Sequence, residues 1–147
     1  MKYVLVLLLA LTTTTLSFGQ QEEEIFEPVQ VPPNYKGGMT AFFKYVHNNL
    51  EYPPTAAREG VEGKVFVQFV VDSTGAIIDD SVKVFQSLHP QLDKEAVRLL
   101  QESPDWIPGR ITPNGTPAKV RMVLPIQFEI DKKTKRKIRK EAKEKIQ

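Results

Sequence analysis

From Lys119 to Ile130 the chain reads KVRMVLPIQFEI. Val120, Met122, Leu124, Ile126, Phe128 and Ile130 alternate with Lys119, Arg121, Val123, Pro125, Gln127 and Glu129. A strict period of two over twelve residues predicts a long β-strand with one buried face. Pro125 decides where that strand sits, because proline has no N–H for a ladder and is confined to sheet edges or bulges. A long edge strand leaves a row of N–H and C=O groups open to another extended segment unless something covers them. The outward set, Lys119, Arg121, Val123, Pro125 and Gln127, is therefore the candidate partner-binding edge.

The remaining periodicities build the scaffold around it. Met39, Phe42, Phe43, Val46 and Leu50 recur at helical spacing after Gly37-Gly38 and predict an amphipathic helix over 40–49. Tyr52-Pro53-Pro54 breaks it, and Thr55 to Glu59 has room for one further turn before Gly60. In KVFVQFVVD, residues 64–72, Val65, Val67, Phe69 and Val71 share one face while Phe66 and Val70 keep the other apolar. A strand apolar on both sides belongs at a sheet centre. Asp72-Ser73-Thr74-Gly75 is a hairpin loop, and the return strand is expected over 77–86, with an irregularity at Asp79-Asp80. His89-Pro90 opens a second helix over 91–102, buried through Leu92, Ala96, Leu99 and Leu100. Asp105-Trp106-Ile107-Pro108-Gly109 makes a corner that pins its Trp to the core, and Asn114-Gly115 turns into the edge strand. The order is α-β-β-α-β. An α+β fold follows, a three-stranded antiparallel sheet with two helices on one face. Phe66 and Val70, with Val123 and Pro125, then fall on the other sheet face. That surface suits a partner, a homodimer contact or cover by the N-terminal lead-in.

Charge divides the 147-residue chain. Residues 20–130 hold 10 Lys/Arg against 15 Asp/Glu, and residues 131–147 hold 9 against 3. The body is thus mildly acidic and the tail strongly basic. In the tail, Ile138, Ala142 and Ile146 recur at intervals of four, but so thin a stripe supports only a marginal helix, and a solvated, frayed extension is expected. Its charge also permits weak contact with an anionic membrane. At the other end, Met1-Lys2, the apolar run Tyr3 to Leu11 and small residues at Ser17 and Gly19 read as a secretory signal peptide, residues 1–19, with an uncleaved anchor as the alternative. Residues 20–33, with Glu22-Glu23-Glu24 and Pro32-Pro33, are expected as a flexible lead-in. The domain proper takes residues 34–130 and the basic tail 131–147. Export makes nucleic acid an unsuitable partner for that tail.

Candidate chemistry is sparse. There is no cysteine, and the only histidines are His47 on the first helix and His89 before a proline. Thiolate metal sites and disulfides are excluded, and a nucleophile–base arrangement has little to draw on. Asp79-Asp80 in a strand would point to opposite faces, which suits a solvated bend better than a cation site. No enzyme, metal site or cofactor is expected.

An ordered set of motifs carries a family resemblance. Tyr52-Pro53, Gly60-Val61-Glu62-Gly63-Lys64-Val65, Val70-Val71-Asp72 with Gly75, and Leu92-Asp93-Lys94-Glu95-Ala96 come first. Pro104-Asp105-Trp106-Ile107-Pro108-Gly109 and Leu124-Pro125-Ile126-Gln127-Phe128 follow. Together they resemble the C-terminal domain of TonB over about residues 28–130. The resemblance implies a periplasmic module that adds the TonB box of an outer-membrane receptor to its last strand, the β-augmentation mode of peptide recognition. A full-length TonB also has a membrane-spanning helix and a long Pro-rich spacer. Residues 20–33 are too few for such a spacer at about 3.1 Å per residue. The binding module is therefore expected without the energised stroke, helping or competing with an energised TonB. A structural envelope adaptor is the alternative.

Overall fold

The computed structural model describes residues 29–146. Residues 1–28, on which the expected signal peptide and most of the expected lead-in fall, lie outside them. In chain order the elements are β1 (Asn34–Tyr35), α1 (Gly38–Asn49), α2 (Pro54–Arg58), β2 (Gly63–Val71), β3 (Lys83–Gln86), α3 (Pro90–Gln101), β4 (Trp106–Ile107), β5 (Gly109–Arg110), β6 (Pro117–Ala118), β7 (Val120–Phe128) and α4 (Lys132–Glu144). The main sheet is antiparallel with order β3-β2-β7, so the strand apolar on both faces is central. Val65, Val67, Phe69 and Val71 are all fully buried on its helix-covered face.

Under that face the core is built from α1 (Phe42, Val46), α3 (Leu92, Ala96, Leu99, Leu100) and β7 (Ile126, Phe128). At 100° per residue Phe43 falls off the stripe of Phe42 and Val46, and it is 49% exposed rather than buried. An aromatic cluster around Trp106 is part of this core. Trp106 meets Tyr35 and Phe69 edge-on, with ring centroids 5.5 and 5.4 Å apart, and Phe42 at 5.2 Å. Its indole N–H donates to Ser103 Oγ at 3.1 Å. The hairpin loop locks onto the same residue. Gly75, at φ +94°, accepts the Trp106 N–H at 2.7 Å, and a Cβ there would run into the Trp106 carbonyl.

One expectation is made definite and two change. The irregularity expected at Asp79-Asp80 is a 3-10 turn, Asp79–Ser81, which follows an isolated bridge at Ile77 and leaves only Lys83–Gln86 paired. Ser81 Oγ donates to the Ile78 carbonyl and accepts from the Val70 N–H, which satisfies the backbone where ladder bonds are missing. The end of the lead-in is tied down rather than loose. Gln30 and Val31 bond to Ile111 and Arg110, and β1 pairs β4. Gly109 permits this crossing, since a Cβ there would press on Val120, Pro33 and the Val31 carbonyl at once. Finally, the basic tail is helical over Lys132–Glu144. Asp131 caps it by accepting the Thr134 N–H at 2.7 Å, although the helix buries no residue fully.

Candidate functional site

The edge strand runs from Val120 to Phe128, with Lys119 just outside it. It pairs β2 in nine consecutive, unshifted positions, from Gly63↔Phe128 to Val71↔Val120. Which backbone groups face away from β2 follows from one residue of the central strand. The Val70 N–H donates to Ser81 Oγ at 2.8 Å, and its carbonyl accepts the Ile78 N–H at 3.0 Å. Both Val70 groups therefore point to the β3 side, which makes Val70↔Arg121 a pair without mutual hydrogen bonds. In an unshifted antiparallel ladder this parity repeats every second residue. Arg121, Val123, Pro125 and Gln127 thus turn their N–H and C=O positions to the outer edge. Met122, Leu124 and Ile126 bond inward to β2. Pro125 occupies the parity where its missing donor costs the sheet nothing. Among the described residues, no strand pairs with β7 on that outer side.

The same parity sets the side chains. Arg121, Val123 and Gln127 are exposed and Pro125 is half-buried, all on the sheet face away from the helices; Lys119 is exposed beside them. Phe66 lies opposite Pro125 on this face and is half-buried. Val70, expected on the open face, is only 8% exposed, with the 3-10 turn against β2 at that point. Phe85, 66% exposed, is an addition that alternation missed. A register shift between Phe66 and Val67 leaves Phe85 unpaired between Val84 and Gln86, and no residue type in the sequence announces that bulge.

A groove of about 610 Å³ runs beside the second half of this edge. Phe43, Val46, His47 and Leu50 form one wall from α1, Pro125, Ile126 and Gln127 the other from β7, and Tyr52 contributes as well. Asp131 and Thr134 also line it at the start of α4. Glu62 fixes this junction by accepting the Ile130 N–H at 2.7 Å and the Lys135 ammonium at 3.0 Å. The Ile130 bond, then Lys135, holds the Glu62 carboxyl below the usual glutamate range. Asp131 is lowered likewise by the bonds from Thr134. The α1 wall was legible only in part. Phe43 beside Phe42 is one apolar residue more than a single helix stripe needs, and that surplus is the available signal.

His89 caps α3 by accepting the Gln91 N–H on Nδ1, and its Nε2 meets Glu59 at 3.1 Å. His47 lines the groove wall. Among the described residues, no three His, Cys, Asp or Glu side chains gather as a metal site.

The family model for the Gram-negative bacterial TonB protein C-terminal region matches residues 48–130, more than half of the chain. This chain belongs to the TonB C-terminal domain family. The match ends at Ile130, so it takes in β7 whole and leaves α4 outside. Two solved structures are similar. One is an NMR solution structure of the Helicobacter pylori TonB C-terminal domain, residues 194–285, at 22% identity, covering 62% of this chain and 91% of that one with a TM-score of 0.46. The other is the same domain over residues 179–285, at 19% identity, covering 64% and 81% with a TM-score of 0.46. Among curated proteins, none matches the chain. TonB C-terminal domains are energy-transducing and binding modules, and membership implies a part in TonB-dependent transport. No helix among the described residues is long and apolar enough to cross a membrane.

Proposed function

We propose that the protein acts in the periplasm as a receptor-binding module, taking an extended segment of a TonB-dependent outer-membrane receptor, its TonB box, onto the outer edge of β7. The observation that carries this reading is the parity fixed by Val70. The N–H groups of Val123 and Gln127 and the carbonyls of Val123, Pro125 and Gln127 face outward in one row, the donor and acceptor pattern that strand addition uses. Main-chain bonds of this kind supply affinity without sequence preference, and pockets for alternate side chains supply choice. Here the added strand would lay every second side chain toward α1, where Phe43, His47 and Leu50 border the groove. The intervening side chains would lie beside Val123 and Gln127. Catalysis has no part in this reading.

The test is an amide-shift titration of the folded protein with a TonB-box peptide. Shifts should concentrate at Val123 to Phe128 and at Phe43 and His47 across the groove. Shifts confined to α3 and β3, with β7 unmoved, would remove strand addition and leave the envelope-adaptor reading ahead.

A further inference from the structure

Helix α4 lies outside the family match and is unlike the rest of the molecule in charge. We propose that it is a docking surface for anionic lipid headgroups, independent of the β7 edge. At 3.6 residues per turn, Lys132, Lys133, Arg136, Arg139, Lys140 and Lys143 fall within an arc of about 120°, and all six are exposed. They line one side of the helix for roughly 17 Å at 1.5 Å per residue. Thr134 and Ile138, on a different side, are half-buried toward the body, and α4 is in contact with α2. Lys135 is held there by Glu62. The helix is thus fixed at its first turn with the cationic arc turned to solvent.

Two anionic partners suit such an arc, a lipid surface and a nucleic acid. The apolar positions decide for lipid. Ala142 continues the stripe of Thr134 and Ile138 but is exposed, and Ile146, just past the end of the helix, is 85% exposed. Apolar side chains bordering a Lys/Arg face mark helices that lie in a headgroup layer, where the long basic side chains snorkel. A phosphodiester backbone gives Ile146 nothing to bind. The attraction adds up over each basic residue near the surface and is screened by salt.

The experiment is co-sedimentation of the intact protein with vesicles of phosphatidylglycerol and phosphatidylcholine in equal parts, against vesicles of phosphatidylcholine alone. Partitioning onto the anionic vesicles should be greater by at least about tenfold, and should fall by a similar factor between low and high salt. Arg136→Gln, Arg139→Gln and Lys140→Gln together should abolish it with the fold intact by circular dichroism, since none of the three is buried. Ile146→Ser should weaken it about threefold, the loss of one partly inserted apolar side chain, with the salt dependence kept. Equal partitioning onto both vesicle types overturns the proposal, as does vesicle binding that survives the triple substitution. Binding to a DNA duplex as tight as to vesicles, with Ile146→Ser neutral in both, overturns it in favour of an unselective polyanion site.

Discussion

Phe69 shows how much one position of the central strand controls. It is fully buried on the helix-covered face and stacks edge-on with Trp106, which in turn holds Tyr35 and Phe42. Phe69→Ala removes the ring and leaves a cavity that this rigid cluster closes only in part, so a loss of about 3–5 kcal/mol is expected in chemical denaturation. Gly75 acts by conformation rather than volume. Its positive φ and the Trp106 carbonyl against it both exclude a Cβ, and Gly75→Ala should destabilise by more than about 1 kcal/mol. Glu62 supplies the pH dependence at this scale. The bonds from Ile130 and Lys135 hold its folded pKa below the ordinary glutamate value, so the stability it lends is present above that ordinary value and lost as pH falls through the lowered pKa. Asp131, lowered from 3.8, follows the same sign. Hydrogen exchange at Ile130 and Thr134, taken relative to the intrinsic amide rate, should therefore quicken as pH falls through these lowered values, before the β2–β7 ladder opens. Exchange that quickens equally in both places would show that Glu62 is not the clamp between β7 and α4.

At the scale of the element, β7 has an inner and an outer register, and proline tells them apart. Val123→Pro removes an outward N–H and leaves the bonds to β2 in place, whereas Leu124→Pro deletes a ladder bond to Val67. The first variant should stay folded and lose affinity for an added strand, with Val123→Ala binding nearly as wild type. The second should unfold or melt far lower. If both prolines destabilise alike, the parity taken from Val70 is wrong. Elements of this length and regularity were legible beforehand. Alternation in 119–130 and 64–72 and the stripe of Leu92, Ala96 and Leu99 depend on periodicity that burial enforces. What escaped was set by contacts distant in sequence. The irregularity at Asp79-Asp80 was expected, but its form, a 3-10 turn, rests on Ser81 bonding across to Val70, and the ordering of Gln30 and Val31 rests on Arg110. The groove is a relation between α1 and β7, so His47 and Tyr52 carried no mark of it in their own neighbourhoods, and Phe43 only its surplus beside Phe42. Val70 lies on the expected face but is covered, because alternation gives the face of a residue and not what folds over it.

The whole molecule divides into a body that is held by its core and an appendage that is held by its charge. Among the described residues, every fully buried large side chain lies between Phe42 and Phe128, and α4 contributes none. Its attachment is the Lys135–Glu62 pair, the half-buried Thr134 and Ile138, and the turn at Asp131. Exposed ion pairs contribute little to stability and are screened by salt. Removing residues 131–147 should therefore leave the fold standing, with Ile130 still bonded to Glu62 and the thermal midpoint lower by less than about 5 °C. Amide shifts over Val120 to Leu124 should stay close to those of the full chain, while Gln127 to Ile130 move because Asp131 and Thr134 no longer line the groove. The two proposed surfaces then separate cleanly. A TonB-box peptide should bind the shortened protein within a few-fold of the full chain, and anionic vesicles should no longer bind it at all. Loss of peptide binding along with the helix would mean that the α4 end of the groove, rather than the outward row of β7, holds the added strand.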